Sequence, residues 1–340
     1  MRINTIEKLY VVCYNGSVSG NVSCLNVEFE KYCMCLKEKN MKLSINIGGM
    51  RLKYGLEKSA ELVSHAGFTA CDFGMGDLEK PETLLYSDDY RSAAVDIRQT
   101  VESYGLKITQ THAPFHFSAK QWDTPEKFDE IVIPRLAKTI EINSILGSKI
   151  TVVHPIHHME YHGHEEEIFE RNMYFYRRLI PYCKEYDVKV AVENMWQHDK
   201  RRGCKSFDTC NSIKEFIRYV DTLDSEYIVA CLDVGHVVLP DTKEEPWDFI
   251  RALGHERLKS IHIHDNDYTK DSHMLPYMGI INWSEITRAL GEINYDGDFT
   301  YEVNDAFYGN IPERILQQSV DFMGMIGKEL VAQVEENRLK

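Results

Sequence analysis

The sequence has no long apolar segment and no excess of positive charge. No run approaches the roughly 18 consecutive apolar residues that a membrane-spanning helix requires. The 39 Lys and Arg residues are outnumbered by 53 Asp and Glu residues, which gives a net charge of −14 at pH 7. Such an acidic chain is not expected to bind nucleic acids or an anionic membrane surface. With 43% hydrophobic and 27% charged residues, the composition is that of an ordinary folded protein.

The sequence also shows no disulfide framework and no glycine-rich phosphate-binding loop. Its nine cysteines are an odd number without regular spacing, in a chain far too long to need disulfides for stability. We therefore predict reduced thiols and a cytoplasmic protein. The absence of a glycine-rich loop favours an unphosphorylated substrate, although a barrel can also bind phosphate through backbone N–H groups alone.

Residues 1–41 differ from the rest of the chain. The first 40 residues show no clear helix or strand period, and a plausible first strand, KLSINI, begins at Lys42. We predict that 1–41 is an extension outside the fold, either disordered or not translated in the native host.

From Lys42 onward, short β-branched or apolar runs alternate with longer amphipathic segments. Near-continuous apolar strands indicate a parallel sheet covered by helices, and eight such units are the number that closes a barrel. We predict an α/β protein with one (β/α)₈ TIM barrel over residues 42–335. The predicted strands are 42–47, 69–74, 106–112, 148–154, 188–194, 227–233, 258–265 and 299–304.

Six consecutive predicted strands carry an ionisable residue of a type that binds metals at or near their C-terminal end. A TIM barrel carries its chemistry at the C-terminal ends of its strands, so these side chains are expected to meet at one mouth. A cluster of histidines and carboxylates is costly unless a cation or protons neutralise it. The mixture of ligands suits Mn²⁺, Co²⁺, Mg²⁺, Fe²⁺ or Zn²⁺. The six residues are His112, His154, Glu193, Asp233, His262 and Glu302.

Several short motifs at these positions, taken together and in order, resemble the xylose-isomerase-like barrel superfamily. This group includes sugar isomerases and epimerases, inosose dehydratases and class II AP endonucleases. The motifs are THAPF (111–115), VVHP (152–155), VEN (192–194), LDVGH (232–236), IHIHDND (261–267), DSH (271–273) and YEVN (301–304).

The resemblance to the epimerases implies a single Mn²⁺-like ion and a pair of glutamates that act as acid and base. The metal ligands would be Glu193, Asp233, His262 and Glu302. Glu193 and Glu302 would flank the substrate, and His236 matches a further active-site histidine. We also expect His112, Asn194, Trp196, Asp271 and His273, together with His236, to bind substrate or a second metal.

The chemistry predicted from this set begins with removal of a proton next to a sugar carbonyl. A metal ion stabilises the resulting enediolate, and a carboxylate or histidine accepts the proton. Return of the proton gives epimerisation or isomerisation, whereas loss of a β-substituent gives elimination. We predict a metal-dependent sugar isomerase or epimerase, with Mn²⁺ as the preferred ion.

Three alternatives remain open. His154 lies at a strand end in a histidine-rich segment and can serve as the base instead. That arrangement resembles the metal subunit of bacterial C-glycoside deglycosidases, lyases that act on 3-oxo-glycosides with a small β-rich partner subunit. A non-catalytic sugar-binding barrel is a second alternative, and the oligomeric state, including a homo-oligomer, is left open.

The third alternative is an AP endonuclease with three zinc ions. Residues matching the type of all nine ligands of that subgroup are present: His112, His154, Glu193, Asp233, His236, His262, Asp271, His273 and Glu302. Two features argue against it. The segment APFHFSAK after His112 lacks the asparagine that the resemblance leads us to expect, and the negative charge of the chain opposes binding to DNA phosphates.

Overall fold

The computed structural model describes residues 41–114, 128–156, 159–303 and 308–338. Apart from Met41, the predicted extension 1–41 lies outside the described residues. The strands are β1 (Leu43–Ile45), β2 (Ala70–Gly74), β3 (Lys107–His112), β4 (Ile150–Val153), β5 (Lys189–Glu193), β6 (Trp196–Asp199), β7 (Cys204–Phe207), β8 (Ile228–Asp233), β9 (Leu258–Ile263) and β10 (Phe299–Tyr301).

The helices alternate with these strands along the chain. They are α1 (Gly48–Tyr54), α2 (Leu56–His65), α3 (Tyr90–Ser103), α4 (Ile133–Ile145), α5 (Glu165–Tyr186), α6 (Ile213–Leu223), α7 (Val234–Val237), α8 (Pro246–Arg257), α9 (Trp283–Glu292) and α10 (Glu313–Arg338). None of the helices in the described part of the chain is both long and apolar enough to cross a membrane.

Eight parallel strands form the predicted barrel, in the order β1-β10-β9-β8-β5-β4-β3-β2. The two ends of this sheet approach each other at β1 and β2, where Thr69 N donates to Leu43 O at 3.1 Å and Ile47 N donates to Asp72 O at 3.1 Å. The (β/α)₈ prediction is therefore confirmed, and each of the eight predicted strands contains one of the observed barrel strands.

Several connections depend on glycine at the end of a helix. Gly67, Gly105 and Gly147 have φ values of 89°, 76° and 85°, and each directly precedes or closely precedes a barrel strand. This left-handed conformation is strained for residues with a Cβ, so glycine ends the helix and turns the chain back into the barrel.

The last helix closes the outer layer by packing directly on the start of the fold. A Cβ at Gly324 would lie 2.3 Å from the Ala66 carbonyl oxygen, and one at Gly327 would lie 2.5 Å from Leu43 Cδ1. These two glycines of α10 permit close approach to β1 and to the end of α2. The buried apolar side chains between barrel and helices form one continuous core.

An antiparallel hairpin of β6 and β7 is absent from the eight-strand prediction. It pairs Trp196 with Phe207 and Asp199 with Cys204, and it follows directly after β5 on the side where the barrel strands end. Its tip, Lys200–Gly203, contains Gly203 at a φ of 67°. The hairpin thus brings Trp196 to the mouth of the barrel, next to the predicted site.

Candidate metal centre

The six predicted residues at the strand ends all lie at the same end of the barrel. His112, Glu193 and Asp233 are the last residues of β3, β5 and β8, and His154 and Glu302 directly follow β4 and β10. His262 is the penultimate residue of β9. Four of the six are almost completely buried, while the side chains of His154 and Glu302 are 14% and 24% exposed and open the site towards the mouth.

The four predicted metal ligands form what we call the carboxylate cluster: Glu193, Asp233, His262 and Glu302. One ligand atom from each residue lies within 4.8 Å of those of the others. His262 Nδ1 is 2.8 Å from Glu193 Oε1 and 3.2 Å from Glu302 Oε2. Three carboxylates and one imidazole, crowded and shielded from water, are a donor set that suits a divalent cation such as Mn²⁺. These residues therefore fit the group that the sequence predicts.

Two carboxylates of this cluster, those of Glu193 and Glu302, have lowered pKa values that favour their ionised form. Burial alone would raise the pKa of Glu193, but His262 and His154 lower that pKa well below its usual range. The pKa of Glu302 is also lowered, with burial opposed by His262 and His273. Burial disfavours the charged form of His262, yet Glu302 and Glu193 help to raise its pKa well above the usual value. The raised pKa of His262 favours a proton on its ring, and a metal ion bound at Nδ1 would displace the proton from that nitrogen.

Two more histidines face Glu193 from β3 and β4. His154 Nε2 lies 2.9 Å from Glu193 Oε2, and His112 Nε2 lies 3.5 Å from the same oxygen. His112 Nδ1 donates to the carbonyl oxygen of Ala113 at 2.9 Å, which aims Nε2 at Glu193. The two imidazole rings meet edge to face at 4.7 Å. This pair can hold a further cation beside Glu193 or carry a proton to or from it.

A second group, which we call the histidine cluster, lies beside the first: His236, His264, Asp271 and His273. Asp271 Oδ2 is 3.0 Å from His273 Nε2 and 3.5 Å from His236 Nε2. Its other oxygen, Oδ1, is buried and has no hydrogen-bond partner. Oδ1 lies 4.0 Å from His264 Nε2, and a buried carboxylate with one unpaired oxygen among three imidazoles is what a cation would satisfy.

The histidine cluster also shifts the pKa values of His236, Asp271 and His273. Burial lowers the pKa of His236, but Asp233 and Asp271 outweigh it and raise the pKa to about 10. Asp271 likewise outweighs burial at His273 and raises its pKa to about 9. The pKa of Asp271 is lowered although burial opposes this, because His236 and His273 are close. The raised pKa values of His236 and His273 favour protons on these two rings at neutral pH, in the place where a cation would bind.

Local backbone geometry explains how Asp233 and His236 come together. Asp233 ends β8 and caps α7, because its Oδ1 accepts a 2.8 Å hydrogen bond from His236 N. His236 Nδ1 donates to the Asn194 carbonyl oxygen at 2.7 Å, which turns Nε2 towards Asp271. The side chain of Asn194 exchanges two hydrogen bonds with the backbone of Asp233, at 2.8 and 2.9 Å. Asn194 therefore holds the ends of β5 and β8 together.

Trp196 and His273 lie where the sequence analysis expects substrate or a second metal. Trp196 Nε1 donates to Asp271 Oδ2 at 2.9 Å. His273 Nδ1 donates to the carbonyl oxygen of Glu302 at 2.6 Å, so its Nε2 faces Asp271. The structure thus brings all eleven predicted site residues to the mouth of the barrel, in or beside two adjoining clusters.

Three polar residues in contact with these clusters are missing from the sequence-based set. His264 Nε2 lies 2.9 and 3.0 Å from the two Asp233 oxygens, and its ring stacks on His273 at 3.9 Å. Asp72 and Gln110 lie beneath His262 in the barrel interior. The sequence does contain a signal for His264. Side chains two residues apart in a strand face the same side, so a site at His262 predicts that His264 points towards it as well.

The fold agrees with the comparisons to known proteins. A family model described as the xylose isomerase-like TIM barrel matches residues 60–324, and the chain belongs to this family. D-psicose 3-epimerase of Enterocloster bolteae is 23% identical over 247 residues, which are 71% of this chain and 74% of the relative.

A second relative has a different named activity, and a solved structure shares the fold. Probable endonuclease 4 of Staphylococcus carnosus is 24% identical over 221 residues, which are 63% of this chain and 68% of the relative. The crystal structure of a D-tagatose 3-epimerase-like protein is 23% identical, has a TM-score of 0.66, and covers 87% of this chain and 99% of its own. The family is thus one of enzymes that share a barrel but differ in substrate.

Proposed function

We propose that this protein is a divalent-metal-dependent sugar isomerase or epimerase. The observation that carries the proposal is the carboxylate cluster, in which Glu193 and Glu302 stand on either side of His262 Nδ1 at 2.8 and 3.2 Å. The relationship to a psicose epimerase supports a sugar substrate. Glu193, Asp233, His262 and Glu302 would hold the ion, with Mn²⁺ as our preferred candidate, and the ion would supply polarisation of the substrate carbonyl.

The residues of the chain provide the proton transfers in this proposal. Glu193 and Glu302 have lowered pKa values and are ionised at neutral pH, so either can accept a proton from a sugar carbon. His154 contacts Glu193 at 2.9 Å, and its side chain is 14% exposed at the mouth. His154 can therefore pass the proton between Glu193 and solvent, or act as the base itself.

Metal content and proton exchange test the proposal together. Protein purified without added metal or chelator is analysed by mass spectrometry for bound metals, and then incubated with ketoses and 3-oxo-glycosides in D₂O. About one Mn²⁺, Co²⁺, Fe²⁺ or Mg²⁺ per chain, with deuterium entering a carbon next to the carbonyl, supports it. No metal after reconstitution, or no exchange with any of these sugars, contradicts it. Loss of an aglycone from the 3-oxo-glycosides would assign the lyase reaction instead.

The histidine cluster favours one second candidate, an AP endonuclease with three zinc ions. His236 and His273 approach Asp271 Oδ2 at 3.5 and 3.0 Å, and His264 lies 4.0 Å from Asp271 Oδ1, next to the carboxylate cluster. A relative at 24% identity is a probable endonuclease 4. About three Zn²⁺ per chain and cleavage of an oligonucleotide that contains one abasic site would establish this activity.

A further inference from the structure

Lys205 of the hairpin reaches the edge of the histidine cluster. It pairs with His198 across β6 and β7, and opposite residues of an antiparallel pair face the same side. Trp196 lies two residues before His198 and faces that side as well, diagonally from the lysine. Lys205 Nζ lies over the Trp196 ring, 2.7 Å from its centroid, and the edge of the same indole donates to Asp271. One aromatic ring therefore separates the ammonium group from the histidine cluster.

The Lys205 ammonium has no oxygen acceptor in the part of the chain that the structure describes. Among those residues Nζ forms no ion pair and no hydrogen bond, and its contact is with the indole face. The side chain is partly buried, and burial lowers the pKa of Lys205 against the attraction of Asp271. An aromatic face attracts the charge but leaves the three N–H donors of the ammonium without an oxygen partner. The group is thus available to an acceptor that enters the mouth.

Asp271 attracts this ammonium, yet its own contacts are made by other groups. Its Oδ2 accepts from Trp196 Nε1 at 2.9 Å and lies 3.0 Å from His273 Nε2 and 3.5 Å from His236 Nε2. Its Oδ1 lies 4.0 Å from His264 Nε2. Lys205 is therefore not the partner that holds Asp271 in place, and its position at the mouth needs another reason.

The charges around the mouth give that reason. The carboxylate cluster and Asp271 place four carboxylates there, in a chain with a net charge of −14. Such a site repels an anionic molecule, so a cation at its edge decides whether an acidic substrate is accepted. A lysine is a compact point charge that suits one carboxylate. Phosphate sites of barrels are instead built from backbone N–H groups at a helix N-terminus, whereas Lys205 lies on strand β7.

We propose that Lys205 is a specificity-determining residue that binds the carboxylate of an acidic sugar, so that the substrate of this site is a sugar acid and not a neutral sugar. The proposal rests on the proposed isomerase or epimerase function and adds to it the chemical class of the substrate. The carbonyl end of the sugar lies at the carboxylate cluster, and its acid group lies at Lys205 beside Trp196.

Three ketoses that differ only at carbon 6 test this role. D-fructose carries a hydroxymethyl group there, D-fructuronate a carboxylate and D-fructose 6-phosphate a phosphate ester. Deuterium exchange next to the carbonyl is measured in the Mn²⁺-loaded full chain at increasing sugar concentration. We expect the lowest KM for D-fructuronate. Lys205→Gln should raise this KM about 10–100-fold, because a hydrogen bond between charged groups is lost, and should leave kcat and the KM of D-fructose unchanged.

Two further variants separate the charge of Lys205 from its effect on the fold. Lys205→Arg keeps a cation that stacks on the indole, so we expect it to keep a low KM for D-fructuronate. Lys149→Gln makes the same change in net charge next to the start of β4, at the opposite end of the barrel, where Lys149 pairs with Asp187. It should behave like the wild type. An unchanged KM for D-fructuronate in Lys205→Gln, or an equal rise in Lys149→Gln, overturns the proposal.

A preference that depends on Lys205 but favours D-fructose 6-phosphate over D-fructuronate would overturn the assignment of a carboxylate. Binding without turnover separates the proposal from the proposed function. D-fructuronate is added to the wild type in the presence of Mg²⁺, and tryptophan fluorescence is followed. Because Lys205 lies on Trp196, we expect a saturable change that is weaker in Lys205→Gln and absent in Trp196→Phe.

The two measurements fail in different ways. Binding of D-fructuronate that depends on Lys205, without deuterium exchange in any ketose, would overturn the isomerase or epimerase function and leave the carboxylate subsite standing. Exchange in D-fructose, without binding of D-fructuronate, would overturn the subsite and leave the function standing.

Discussion

The indole Nε1 of Trp196 donates a 2.9 Å hydrogen bond to Oδ2 of Asp271, 75 positions further along the chain. The bond joins hairpin strand β6 to the loop after β9. Asp271 Oδ2 is also the oxygen closest to His273 and His236, at 3.0 and 3.5 Å. Trp196 therefore fixes the carboxylate around which the histidine cluster is arranged.

Replacing Trp196 by Phe should loosen this carboxylate while keeping an aromatic ring at the mouth. The variant removes the indole donor from buried Asp271 Oδ2, which keeps only His273 and His236, so we expect a loss of about 1–3 kcal/mol in the free energy of unfolding. Urea denaturation of the metal-free protein measures it. Trp247→Phe, on α8, removes an indole from the outer layer and is the control. A Trp196→Phe protein as stable as wild type would show that the bond contributes nothing.

The acid–base roles lead to a prediction about Glu302. Glu302→Gln keeps an oxygen for the cation but cannot exchange a proton at neutral pH. We expect deuterium exchange into the sugar to fall by about 10²–10⁴-fold, while Zn²⁺ binding weakens far less. Glu193→Gln should behave in the same way if both glutamates transfer protons. Glu285→Gln, at a carboxylate that pairs with Arg251 on the surface, is the control. Unchanged exchange in Glu302→Gln excludes its catalytic role.

The barrel and the ends of its strands could be predicted because both depend on local patterns. Apolar strands alternate with amphipathic helices, and closure into a barrel then brings the strand ends to one mouth whatever their separation in sequence. His112, Glu193 and Asp233 therefore follow from strand boundaries alone. The hairpin did not follow, because its strands are polar and flank the charged tip KRRG (200–203), which has no two-residue period of apolar side chains.

The polar residues behind the site depend on contacts across the barrel. Asp72 and Gln110 lie on β2 and β3, whereas His262 lies on β9, three strands away from β2 around the sheet. The spacing of these three residues in the sequence does not indicate that their side chains meet in the barrel interior. The sequence indicates such a contact only through Asp72, which lies in the otherwise apolar segment TACDFG (69–74). A buried polar residue in a strand requires a partner.

The His264 ring packs directly against Gly235, and this contact leads to a prediction. A Cβ at this position would lie 2.0 Å from His264 Cε1, so Gly235→Ala must displace the ring that contacts Asp233. We expect a loss of about 1–3 kcal/mol in the free energy of unfolding, together with weaker Zn²⁺ binding because Asp233 loses its partner. Gly76→Ala is the control, since nothing lies within 4 Å of a Cβ there. Wild-type Zn²⁺ affinity in Gly235→Ala would show that His264 does not orient Asp233.

Glu215 is not one of the proposed metal ligands, and its raised pKa leads to a prediction of how the stability of the protein depends on pH. Burial raises its pKa to about 7, against the hydrogen bonds that it accepts from Tyr161 and Cys210. The folded state therefore favours the protonated form. This contribution to stability is complete below the unfolded pKa of about 4.5 and is lost as the pH rises through 7.

Glu215→Gln cannot ionise, so its stability relative to wild type should increase with pH. We expect the difference in unfolding free energy between the two proteins to move by about 2 kcal/mol in favour of the variant between pH 5 and pH 8.5. Both proteins share every other titrating group, including the histidine cluster, whose contributions cancel in the difference. Glu166→Gln is the control, because the exposed Glu166 pairs with Arg218, which lowers its pKa, and it stays ionised across this range. A difference for Glu215→Gln that does not vary with pH would mean that this carboxylate is already charged at pH 5.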